Sequence, residues 1–159
     1  MKLLFLCTLL LSGCAATSFP LPPLQTQPVE AQFGLRFTHG GTSLPLQGAV
    51  QVLGNEGSLG IIFPHGRTVG VCRYQGEGMT CVPAQGARTG TRFMLQQIGL
   101  AVYRILPALT AESPQDLAEG DWVVHWQNTD AGRKAAYQDL ASKVTMEMYF
   151  STAMPGVPR

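Results

Sequence analysis

The sequence predicts a mainly β, α+β domain in which one apolar helix lies against an antiparallel sheet. Three observations lead there. Turn signals recur roughly every ten residues through the first half of the chain. Between them, apolar and polar residues alternate with the period of strands that bury one face. Residues 91–106 then change to helical periodicity, before strand-like texture returns at Trp122.

The 159 residues make one domain, long enough to bury a real core. Hydrophobic residues are 45% of the chain and charged residues 13%, against about 25% charged in an average domain. These proportions exclude a disordered chain, a coiled coil and a highly charged nucleic-acid binder.

The first element is an address. Lys2 precedes a short apolar run that ends in Leu11-Ser12-Gly13-Cys14. The run is too short to span a bilayer, which takes about 20 residues, and reads as a signal peptide. Leu-Ser-Gly-Cys looks like a bacterial lipobox, so residues 1–13 are expected to be removed and Cys14 acylated. Three acyl chains at ~0.8 kcal/mol per buried methylene make an effectively permanent anchor. Ala15 follows, where Asp would suggest inner-membrane retention. An outer-membrane, periplasm-facing protein is therefore expected, its body held to the membrane by lipid alone. Residues 14–31 are proline-rich and read as the lipidated cysteine and a semi-stiff tether, reaching on the order of 40 Å. The domain is expected over 32–151, and 152–159 as a frayed tail.

Strands are expected at about 32–38, 46–53, 58–63, 67–75 and 78–83, forming a meander. Val50 and Val52 alternate with Gln51 and Leu53; Leu59, Ile61 and Phe63 alternate with Gly60 and Ile62. Cys72 and Cys81 are left in an oxidising compartment. A two-residue turn at Gly76-Glu77 pairs 75 with 78, 74 with 79, 73 with 80 and 72 with 81. That places the cysteines on a non-hydrogen-bonded pair, with Cα atoms ~4.5 Å apart, within reach of a disulfide.

Residues 91–106, ended by Pro107, form the expected helix. Met94, Leu95, Ile98, Ala101, Val102, Ile105 and Leu106 cover one broad side, but Phe93 and Leu100 fall in or beside the polar sector. So apolar a helix has to hide more than one face. Later strands are expected at 122–127 and 143–150. Residues 131–142 are ambiguous: their alanines favour helix, whereas a meander places a strand near 133–138, the reading preferred here.

Without Lys2, basic and acidic residues balance. Their distribution does not: residues 57–111 hold five arginines against Glu77 alone, and residues 112–159 hold seven acids against four bases. Modestly different solvated faces explain this, as does a basic rim for an acidic headgroup or partner. Five scattered arginines make no nucleic-acid surface. His39, His65 and His125 are far apart and lack metal-ligand spacing. No nucleophile elbow, phosphate loop or dinucleotide fingerprint occurs. The chain is expected not to be an enzyme and to need no cofactor or metal.

The order of lipobox, proline-rich tether, meander, apolar helix and further strands resembles a family of small Gram-negative outer-membrane lipoproteins of unknown function. These are often encoded near aryl-polyene or fatty-acid-type synthesis genes and are similar to LolB, the outer-membrane acceptor of lipoproteins. The segment Gly66-Arg67-Thr68-Val69-Gly70-Val71-Cys72-Arg73-Tyr74-Gln75-Gly76 resembles the family's strand ending Tyr-Asp-Gly, with Gln75 replacing the acid. Ile105-Leu106-Pro107, Asp121-Trp122, Arg133 and Met148-Tyr149 match later positions loosely.

The resemblance implies a LolA/LolB-like half-barrel: a curved antiparallel sheet whose concave face is covered by the helix, with an apolar cavity between them. It also implies an exposed apolar delivery loop; Ser43-Leu44-Pro45-Leu46 is the nearest segment by composition. The resulting expectation is a monomer that binds an acyl chain, lipid or lipoprotein without catalysis, through Ile61, Phe63, Phe93, Ile98, Val102 and Ile105. The alternative for each of these residues is ordinary core, and for the protein a structural or assembly role through surface contacts.

Overall fold

The computed structural model describes residues 18–24 and 26–151. The signal segment, the lipidation site Cys14 and the tail 152–159 lie outside the described residues. Ten strands form one antiparallel sheet: β1 (Ser18–Pro20), β2 (Val29–His39), β3 (Thr42–Leu53), β4 (Glu56–Ile62), β5 (Thr68–Gln75), β6 (Gly78–Pro83), β7 (Leu117–Glu119), β8 (Trp122–Thr129), β9 (Gly132–Asp139) and β10 (Val144–Ser151). One helix, α1 (Thr91–Leu109), joins β6 to β7. The sheet order is β1-β6-β5-β4-β3-β2-β10-β9-β8-β7, open at β1 and β7. Two meanders thus flank the helix, and β10 returns to pair with β2, Val144 opposite His39.

Alternation explains which residues face inward. Val29, Ala31, Phe33, Leu35 and Phe37 of β2 are buried, as are Val144, Met146, Met148 and Phe150 of β10. The residues between them face out. The sheet bends, because α1 touches strands that lie far apart within it. The Tyr74 hydroxyl on β5 donates to the Gly99 carbonyl at 2.7 Å, and Arg104 reaches Asp139 on β9 at 3.2 Å. Five strand spacings separate β5 from β9, about 24 Å in a flat sheet, twice the width of a helix.

The Gly76-Glu77 hairpin has the expected register, including Cys72 opposite Cys81. These two are disulfide-bonded, with Cα atoms 4.0 Å apart. Residues 132–139 are a strand: Ala135, Tyr137 and Asp139 point inward, so tertiary packing overrides the helical preference of the alanines.

Three expectations are corrected. The helix does not stop before Pro107 but runs to Leu109. Proline there removes only the bond to the Tyr103 carbonyl in a last turn, while Ala108 and Leu109 gain burial. Ser43-Leu44-Pro45-Leu46 is no exposed loop: it lies within β3, with Leu46 buried and Leu44 packed on the core. The described part of the expected tether is docked. Ser18–Pro20 pairs with β6 as an edge strand, where a proline is tolerated. Leu24 is buried, residues 29–31 belong to β2, and the Tyr103 hydroxyl donates to the Pro22 carbonyl at 2.7 Å.

Close approach of α1 depends on glycine. A Cβ at Gly70 would lie 2.3 Å from Leu95 Cδ1 and 2.6 Å from the Val82 carbonyl oxygen, and one at Gly99 would lie 2.5 Å from Met79 Sδ. Gly70→Ala is expected to destabilise the protein by about 1–3 kcal/mol in urea denaturation. Gly60→Ala, with nothing within 4 Å, is expected to cost nothing; equal effects would contradict this packing. Cys72→Ala/Cys81→Ala is expected to lower stability by about 2 kcal/mol in the same assay, the small value that a short closed loop allows.

Candidate functional site

The residues expected to line a cavity separate into two groups. Ile61, Ile98, Val102 and Ile105 are 0% exposed, like their neighbours Leu59, Leu95 and Leu106. A void wide enough for one water molecule would leave accessible surface on its lining, so no such void adjoins these side chains. They are core, and the acyl cavity expected among them is filled by α1 itself. Phe63 and Phe93 are not with them. Both stand at the rim near the amino end of α1: Phe63 is half-buried and stacked on His65 at 5.4 Å, and Phe93 is 37% exposed against His39 at 5.0 Å.

One polar cluster lies inside the bend. Arg104, on α1, donates to the Tyr137 hydroxyl and to Asp139 Oδ2, and its guanidinium lies 4.9 Å from the centroid of the Trp122 ring. The Tyr137 hydroxyl donates to Asp139 Oδ2 at 3.3 Å, and the Ser142 N–H donates to Oδ1 at 2.9 Å. Burial pushes the Tyr137 phenol up to about 12, although Arg104 draws it down. Burial also works to raise the Asp139 carboxyl, but hydrogen bonds from Ser142 and Arg104 outweigh it and hold the group below its ordinary value of 3.8. This cluster ties α1 to β9 opposite the Tyr74 contact. On the helical wheel of residues 91–106, Arg104 falls with Gln96 and Gln97 opposite the apolar side, and nothing local to the helix marks it as paired. The signal that could have shown otherwise is the two-residue spacing of Tyr137 and Asp139, which gives both to one side of a strand.

At the far end of the helix, Arg133 donates to the carbonyls of Ala111 and Glu112, at 2.7 and 2.6 Å. His125 and Asp116 form an exposed pair at 2.8 Å, and Asp116 also accepts from the Trp126 N–H. The His125 ring and that N–H together lower the Asp116 carboxyl. Among the described residues, no three His, Cys, Asp or Glu side chains converge to hold a metal ion. No described helix is long and apolar enough to cross a membrane.

Open concavities lie along the sheet instead. One of about 740 Å³ includes Glu30, Gln51, Leu53, Ser58, Arg73 and Gln75. A second, of about 820 Å³, includes Thr68, Val71, Arg73, Thr80, Val82 and Gln75. A third, of about 280 Å³, includes Arg36, Thr38, His125, Gln138 and Glu147. None of the three is lined by a residue of α1. Arg73 belongs to the first two, in a polar row that crosses six strands in register: Glu30, Gln51, Ser58, Arg73, Thr80 and Ser18. Val71 and Val82, paired beside it, are exposed. This outward face can hydrogen-bond and pair charge with a partner surface, and its concavities are open to solvent rather than enclosed. The chain matches no protein-family model, and no curated protein is significantly similar to it.

Asp139→Asn leaves the largely buried Arg104 guanidinium without its carboxylate. It is expected to cost about 2 kcal/mol of stability at neutral pH in thermal or urea denaturation. Because the folded-state carboxyl lies below its unfolded value near 3.8, the wild-type advantage is present above pH 4 and is lost as pH falls through the lower, folded-state value. A variant that matches wild type at pH 7 would remove Asp139 from the account.

Proposed function

We propose that this protein is a lipid-anchored envelope protein whose folded body acts through its surfaces, as a structural or assembly component, rather than by carrying a lipid in its interior. The anchor is read from Leu11-Ser12-Gly13-Cys14, and an outer-membrane location from Ala15. The observation that carries the choice between carrier and assembly component is the filled seam under α1, with Ile61, Ile98, Val102 and Ile105 at 0% exposure.

The cost of opening that seam supports the same choice. Displacing α1 exposes Leu95, Ile98, Val102, Ile105 and Leu106, each contributing about 1.5–3 kcal/mol when buried. The sum is on the order of 10 kcal/mol, comparable to the whole stability of a domain this size. A carrier conformer would need a ligand that replaced these contacts in full. The outward concavities around Arg73 need no rearrangement to meet a partner.

The full chain purified in mild detergent tests this by mass spectrometry under denaturing and native conditions. The expected denatured mass is that of the chain beginning at an acylated Cys14. The expected native mass adds no stoichiometric second lipid. An unmodified Cys14 overturns the anchor; a second lipid bound one-to-one overturns the surface-acting role and restores the carrier.

A further inference from the structure

The body has two unlike ends. The turns at 40–41, 63–67, 84–90, 120–121 and 140–143 lie at the end where α1 begins, as the strand registers require. The turns at 54–55, 76–77 and 130–131 and the loop 110–116 lie at the end where α1 finishes. The first end carries Arg67, Arg88, Arg92 and Lys143, with Glu119, Asp121 and the Arg104-paired Asp139 as its acids. It also exposes large apolar side chains, Phe93 at 37% and Leu140 at 59%. The second end carries Glu56, Glu77, Glu112, Asp116 and Asp130, and its Arg133 is engaged with loop carbonyls.

Ser18 lies opposite Thr80 and Pro20 opposite Gly78, so the chain enters β1 from the side of Pro83 and the 84–90 turn. Cys14 is four residues before Ser18, which limits its distance to about 14 Å at 3.6 Å per residue. That reach from Ser18 takes in the 84–90 turn, whereas the acidic turn at 76–77 lies past Pro20, in the direction opposite to chain entry. Reaching the acidic end instead takes a reversal of the chain within those four residues.

From the coincidence of chain entry, positive charge and exposed apolar side chains at one end, we infer that this end docks on the anionic leaflet that holds the anchor. The inference rests on the lipid-anchored reading above. Arg67, Arg88 and Lys143 face phosphate headgroups, Phe93 and Leu140 enter the interfacial layer, and the acidic end points away from the bilayer. Each cation near an anionic leaflet strengthens attachment about fivefold, less at high salt. The body is then held upright at the membrane, not swinging on a long tether, and the face around Arg73 stands sideways to a partner.

The test reconstitutes the full anchored chain in vesicles of phosphatidylethanolamine with and without phosphatidylglycerol and follows amide hydrogen exchange. With phosphatidylglycerol at low salt, exchange is expected to slow in 84–93 and 140–143 and to be unchanged at 54–56 and 76–77. Arg67→Glu/Arg88→Glu, at exposed positions, is expected to keep its thermal midpoint and its anchor yet reduce the docked-to-undocked ratio by about 25-fold or more. Slowing at the acidic end, slowing nowhere, or slowing that survives the double charge reversal overturns the docking while leaving the anchor intact. An intact mass showing no acyl group on Cys14 overturns both.

Discussion

The burial of α1 inside the bend of the sheet is the constraint on which the rest of this structure depends. A ten-stranded sheet with one apolar face cannot leave that face in water, and a flat sheet of that width is too broad for one helix to cover. Bending solves both problems. The helix then has sheet on several sides, which is why its apolar residues exceed one stripe: Leu100 is buried at 5% though it lies near the polar sector of the helical wheel. Direct ties hold the two flanks to the helix, Tyr74 to the Gly99 carbonyl from β5 and Arg104 to Asp139 and Tyr137 from β9. Glycines at 70 and 99 allow the backbones to approach, and the disulfide lies directly under the first helical turns, its sulfurs 3.4 and 3.7 Å from the Leu95 carbonyl oxygen.

Much of this was legible in the sequence where the pattern was local. Alternation in 46–53 and 58–63 and the glycine-marked turn at Gly76-Glu77 specified strands, hairpin register and the cysteine pair. The excess apolarity of 91–106 specified a helix buried on more than one side. What was not legible depended on contacts between distant segments. The burial of Leu24 and the seating of Pro22 on Tyr103 come from α1 lying beneath them, and nothing in a proline-rich stretch announces it. Pro107 reads as a helix stop because the burial of Ala108 and Leu109 is not local information. The candidate site was the least legible part. The same residues that make an oily cavity make an oily core, and Ile61, Ile98, Val102 and Ile105 differ between the two only in whether space remains beside them.

A filled interior moves attention to the outside of the sheet. Its residues are polar in a row across β2 to β6 and on to β1, with Arg73 at the junction of two open concavities and a valine pair beside it. Such a face offers hydrogen-bonding and charged groups to a partner surface without any rearrangement of the core. The charge asymmetry between the ends of the body adds orientation: basic and partly apolar where the chain enters, acidic where α1 finishes. On the lipid-anchored reading proposed above, that asymmetry would present the sheet's flank to its surroundings.

Native-state hydrogen exchange of the α1 amides from Ile98 to Ile105 tests the closed interior most directly. If the helix is an integral part of the core, these amides exchange only through global unfolding, with the same free energy and denaturant dependence as the amides of β2 and β10. If they exchange through a separate, lower-energy opening while the sheet stays protected, α1 is a movable cover and the sheet's hollow is available to a ligand.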